Sequence, residues 1–159
     1  MKFVFRLQSF LNLKEKIEDQ RKLEFGRAVS KLESEKQFLS MLEKQRAENI
    51  FLFKKSLLEE ISPPDIQNFN NYMNVIKKRI KDQKQAVAAA EAVVEQKRAE
   101  LVEAMKERKM LETIKDKSHV EFLREQQIAE QRIVDEVVSY RFNNQDDRKH
   151  KREAVNGGS

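Results

Sequence analysis

The sequence predicts an all-α protein: an antiparallel two-helix coiled coil, built as one long helical hairpin with an overhanging C-terminal helix end. Three observations predict it. Turn-forming residues are scarce, since the 159 residues include three glycines and two prolines, with Gly157 and Gly158 at the very end. Charged residues make up 37% of the chain and apolar ones 39%, a balance that suits long solvated helices with a narrow apolar seam. Finally, apolar residues recur at steps of three and four, the 3.5-residue repeat of a coiled coil.

The strongest internal punctuation is Ser62-Pro63-Pro64-Asp65. Two prolines end any helix that runs into them, because they lack the amide hydrogen and clash with the preceding turn. The same residues also read as a helix start. Ser62 is a capping residue, Pro63 suits the first helical position, and Asp65 stands three residues after the cap. The expected organisation is a coiled coil over residues 1–147, followed by a disordered basic tail over 148–159. Its first helix spans about 4–60, its turn about 61–65 and its second helix about 63–144. Gly26 falls inside the first helix and costs it about 1 kcal/mol relative to alanine.

The second helix carries the cleaner seam. Met73, Ile76, Ile80, Gln83, Val87, Ala90, Val94, Lys97, Leu101, Ala104, Arg108 and Leu111 follow one another at steps of three and four. The first helix offers a looser stripe of Phe25, Ala28, Leu32, Leu39, Leu42, Ile50, Phe53 and Leu57, with Glu35 and Arg46 intruding, and nearer its start Leu7, Phe10 and Ile17 continue it. A short link makes the two helices antiparallel neighbours. Folding at Pro63 then sets Phe53 against Met73, Leu39 against Val87, Leu32 against Val94 and Phe25 against Leu101. The first helix is exhausted opposite residue 121, which leaves Phe122, Leu123, Ile128, Ile133, Val134, Val137 and Val138 without a partner in the chain. An apolar face of that kind calls for a partner, unless the helix frays there or two copies pair through it.

Several function classes are excluded or disfavoured. Without cysteine the chain has no disulfide framework, thiolate metal site or thiol nucleophile,. It has no Gly-x-x-x-x-Gly-Lys loop to cradle phosphates, and His119 and His150 stand far apart without metal-ligand companions,. Carboxylate pairs such as Glu59-Glu60 are plentiful, but acid–base catalysis needs an enclosed site that separates two pKa values, and two helices enclose none,. The expectation is therefore no enzyme, no cofactor and no metal. No stretch approaches the roughly 20 apolar residues of a membrane span, and the N-terminus has no signal-peptide core. Of the net charge of +5, the tail contributes +3, from Arg148, Lys149, Lys151 and Arg152 against Glu153. The remaining charges alternate in sign, which reads as a salt-bridged solvent face, and no nucleic-acid partner is expected.

Particular residues resemble a known family. The opening Phe3-x-Phe5-Arg6-Leu7-Gln8, followed by Leu11, Lys14 and Glu18, is similar to the start of the flagellar export protein FliJ. Phe69, Tyr72 and Ile76, then Lys109, Leu111-Glu112 and Ile114-Lys115, and finally Glu130-Gln131 with Asp135-Glu136, resemble that family's later helix. The resemblance implies a non-catalytic, cytoplasmic stalk, peripherally associated with the membrane at the flagellar base. Its implied partners are the hexameric flagellar export ATPase, the transmembrane export-gate protein and export chaperones, and its expected state is an elongated monomer. It makes Phe122, Arg124, Ile128, Arg132, Ile133, Val137 and Arg141 the candidate contacts to the ATPase ring. The candidate contacts to the gate are Leu42, Tyr72, Ile76, Arg79 and Gln83, of which Ile76 also reads as seam. The alternative is a structural or tethering coiled-coil adaptor that dimerises through the C-terminal overhang.

Overall fold

The computed structural model describes residues 1–157, Asn156 by its backbone alone. It contains two helices, α1 over Gln8–Ser56 and α2 over Pro63–Asn156. Two units separate, one of residues 10–109 and one of residues 1–9 with 110–159.

The unit of residues 10–109 is an antiparallel helical hairpin. Ser62 and Asp65 start α2 as the sequence predicts. The Asp65 carboxylate accepts from the Ser62 hydroxyl at 2.5 Å and from its backbone N–H at 3.4 Å, while Pro63 occupies the first helical position, where no amide hydrogen is needed,. Helix α1 stops at Ser56, short of the expected residue 60. The Leu57, Leu58 and Glu59 amides bond back to Phe53, Lys55 and Ser56 at 3.0–3.2 Å, tightening the last turn,. Because the prolines belong to α2, the link that reverses the chain has to be taken from the end of α1.

That shorter α1 changes the register. Phe53 stacks on Phe69, with ring centroids 3.8 Å apart and planes 3° apart, rather than on Met73. The Asn49–Tyr72 hydrogen bond, at 3.1 Å, and the Arg21–Glu100 ion pair, at 3.0 Å, fit the same shifted register. The displacement from the expected pairing is about one helical turn. It follows from centring the reversal before Pro63 rather than on it.

The seam is otherwise where the α2 pattern places it. Every expected position from Met73 to Arg108 is buried or half-buried. On α1 the buried and half-buried residues include Leu11, Lys14, Glu18, Arg21, Phe25, Ala28, Leu32, Glu35, Leu39, Leu42, Arg46, Asn49 and Phe53. Those steps alternate three and four without a slip, so the heptad is complete once charged residues are admitted to it. Leu57, counted in the stripe from sequence, is exposed in the link, and Leu7 and Phe10, expected to continue the stripe, are exposed as well. Leu42, Met73, Ile76 and Ile80 form a buried apolar cluster, with Leu39, Ile50 and Phe69 against them.

In the other unit, residues 1–5 are irregular and Gln8 N–H bonds to the Phe5 carbonyl at 3.1 Å. The helix expected from residue 4 therefore begins at Gln8. Phe3 is used differently: its ring meets His119 edge-on at 4.9 Å and Phe122 at 5.5 Å, and Gln126 donates to the Met1 carbonyl at 3.3 Å. Beyond Gln126 every described side chain of α2 is exposed. The helix nonetheless continues past the expected residue 144 through the basic stretch to Asn156. Nothing before Gly157 breaks it, and the Gly157 amide still bonds to the Glu153 carbonyl at 3.1 Å. The expected tail thus lies in helix up to Asn156, and Gly158 and Ser159 lie outside the described residues.

Candidate functional site

Two surfaces carry the residues singled out in the sequence, and a set of polar layers fixes the hairpin between α1 and α2. In the polar layers, Glu18 is 3% exposed and its carboxylate is held by Arg108 and, at 2.9 Å, by Lys22. Gln83 donates to the Glu35 carboxylate and, at 3.0 Å, to the Glu35 carbonyl. Glu24, Lys97, Glu100 and Arg21 form a network with contacts of 2.9–3.3 Å, and Lys14 meets Glu107 at 2.5 Å. These seam defects are cross-paired, so the interior keeps few unmet charges.

The charge network makes stability depend on pH. The hydrogen bond from Lys22, joined by Arg108, holds the Glu18 carboxyl below the usual carboxylate range, outweighing the burial that pushes it up. Arg21, then Lys97, lowers Glu24 in the same way, and Glu24, then Glu100, raises Lys97. The folded Glu18 and Glu24 values lie below the unfolded ones. Their stabilisation is therefore present above the ordinary glutamate value of about 4.3 and is lost as pH falls through the folded values. Lys97 has the opposite sign: its contribution is present below the ordinary lysine value of about 10.4 and is lost as pH rises through the raised one. Thermal melts followed by circular dichroism should show a plateau around neutrality and a decline on the acid side. Glu18→Gln should shrink that acid limb; an unchanged limb would assign it to other groups.

At the hairpin end, the five candidate gate residues do not form one surface. Leu42 and Ile76 sit in the apolar cluster, and Gln83 is buried against Glu35. Tyr72 and Arg79 are exposed, the Tyr72 hydroxyl accepting from Asn49.

The candidate ring residues divide as well. Phe122 is half-buried under Phe3, so it does have a partner in the chain, which the sequence reading did not foresee. Arg124, Ile128, Arg132, Ile133, Val137 and Arg141 are exposed. At about 100° per residue, Ile133, Val137 and Arg141 fall within one arc of about 140°, together with Leu123, Val134 and Val138. Arg124, Ile128 and Arg132 lie on the other side. Val134 and Val138, 58% and 56% exposed, belong to the apolar face as firmly as Ile133 and Val137, at 61% and 46%. Residue type does not distinguish them from Val137; only the angle around the helix shows that all four share one face,. Tyr140 and Phe142, also exposed, follow the last regular apolar spacing.

Among the described residues no group of three or more acidic, histidine or cysteine side chains is placed to hold a metal, and no helix is long and apolar enough to cross a membrane. Comparison with curated proteins finds no match, and comparison with solved structures finds none either. The family described as Flagellar FliJ protein matches residues 1–147, which takes in the hairpin, the Phe3 cluster and the exposed apolar arc together. The chain belongs to that family, and so is a component of flagellar protein export.

Proposed function

We propose that this protein is the non-catalytic stalk of the flagellar type III export apparatus. In this reading it inserts into the hexameric export ATPase ring, promotes its assembly and activity, and links it to the export gate and to export chaperones. It works in the cytoplasm, at the membrane face of the flagellar base. The observation that carries the reading is the exposed apolar arc of Ile133, Val134, Val137 and Val138 on a helix over which no described residue of its unit is laid. Fully burying one such side chain is worth about 1.5–3 kcal/mol, so four of them give a partner ample reason to take the surface. Arg141 lies in the same arc and suits an acidic loop of a ring. Ile128, Arg124 and Arg132 require a partner that surrounds the helix, as the interior of a ring does. For the gate, Tyr72 and Arg79 are the accessible members of the candidate set, while Leu42, Ile76 and Gln83 act by holding the hairpin beneath them.

The test is a full-length variant with Ile133, Val134, Val137 and Val138 all changed to serine, beside a chain ending at Gln127 that keeps the Phe3 cluster. Both should remain helical by circular dichroism and lose stimulation of the export ATPase. Full stimulation by either would move the ring contact elsewhere. Sedimentation decides against the tethering adaptor: the wild-type chain should be a monomer. A dimer that the serine variant splits, with stimulation intact, would favour the adaptor instead.

A further inference from the structure

We infer that the flank of the hairpin carrying Arg46, Lys77, Lys81 and Lys84 is a docking groove for an acidic helical segment of a partner protein. These four cations line a groove of ≈ 480 Å³ over Ile80 and Ala88, and no carboxylate lines it. The stretch 77–84 carries five cations, Lys77, Lys78, Arg79, Lys81 and Lys84, against Asp82 alone. The contrast with the charged layers of the seam is what makes this informative. Toward the other end of the unit, Lys14, Arg21, Lys22, Lys97 and Arg108 each reach a carboxylate of the chain. Among the described residues, none of the four groove cations does. Arg46 adds a second signal, since its Nε is buried and has no acceptor among the described residues. A buried donor left unmet is costly, and the guanidinium that carries it borders the groove, where a partner's carboxylate can offset its charge,.

The spacing identifies the occupant. Lys77, Lys81 and Lys84 stand at i, i+4 and i+7 on α2, about 10.5 Å from first to last. Glutamates at the same spacing on a helix laid alongside α2 match them, and Ile80 with Ala88 gives that helix an apolar floor,. No aromatic residue lines the groove to stack a base, which disfavours a single-stranded nucleic acid,. The groove is also separate from the candidate gate face. Lys77, Lys81, Lys84 and Ala88 each follow a seam residue by one position, whereas Tyr72 and Arg79 each precede one, so the two sets flank the seam on opposite sides,. The inference stands on these charges and does not depend on the export reading.

The experiment uses the full chain and a fluorescent, alanine-based helical peptide with glutamates at i, i+4 and i+7, followed by anisotropy at low salt. The triple variant Lys77→Glu, Lys81→Glu, Lys84→Glu should weaken binding by about tenfold or more, as expected when three exposed charge pairs are lost together. Glutamine at the same three positions should fall between it and the wild type. A peptide with lysines in place of the glutamates should bind the reversed variant and not the parent. Equal binding by the reversed variant, equal binding of a glutamine peptide, or tighter binding of duplex DNA at the same ionic strength would overturn the inference.

Discussion

Replacing Leu42 by alanine is expected to lower the stability of the hairpin by about 2–5 kcal/mol, the range for emptying a well-packed leucine site. Leu42 is 2% exposed and sits among Met73, Ile76 and Ile80, with Leu39, Ile50 and Phe69 closing the cluster. Two helices have no third layer to collapse into the space, so the loss should fall toward the upper part of the range. Leu57→Ala is the matched control. The sequence counts Leu57 in the same apolar stripe, but it is 54% exposed in the link, and its truncation should cost well under 1 kcal/mol,. Urea unfolding followed by circular dichroism at 222 nm measures both. Equal losses for the two variants would mean that the register around the cluster is not the one described.

That pair of residues also shows how far the sequence carries. Leu42 and Leu57 are the same residue type at compatible spacings, and what separates them is where the link begins. Helix propensity does not distinguish an end at residue 60 from one at Ser56; the length of chain needed to turn back before Pro63 does. The same four residues move the register by a turn and set Phe53 on Phe69. The α2 seam, by contrast, was legible residue by residue, because a 3.5-residue repeat shows even through Gln83, Lys97 and Arg108. On α1 the repeat was hidden. Lys14, Glu18 and Arg21 hold seam positions, and a search for apolar spacing passes over them, whereas Glu35 and Arg46 show only as interruptions. Their partners on α2 were the available signal: Arg108 and Gln83 at seam positions imply polar groups opposite. The Phe3 cluster gave no signal at all, since the short irregular segment that places it has no period. At the C-terminal end the apolar residues were visible, but the face they share emerges only when each is assigned an angle on the helix. Ile128 is apolar and falls on the wrong side.

The Glu18 layer has the second large effect, and its physics differs from that of Leu42. Arg108→Leu should cost about 3 kcal/mol, because it leaves a buried carboxylate without its cross-helix partner. The figure belongs at the low end of the usual range of about 3–5 kcal/mol, since Lys22 still holds the other carboxylate oxygen at 2.9 Å,. Removing both charges, with Glu18→Leu and Arg108→Leu together, should return most of the loss or exceed the wild type. Desolvating two ions is costly, and a leucine pair has no such penalty to offset. The pair would then serve chiefly to specify alignment. An apolar layer slides by a heptad at little cost, whereas a buried glutamate accepts only the level that brings Arg108 to it. A double-mutant cycle by urea unfolding gives the coupling directly, and cysteines introduced at Phe53 and Phe69 of this cysteine-free chain report the register by disulfide formation. A double variant as unstable as Arg108→Leu alone would show that the layer stabilises the hairpin outright, and specification of register would then be the wrong account of why two charges are buried there.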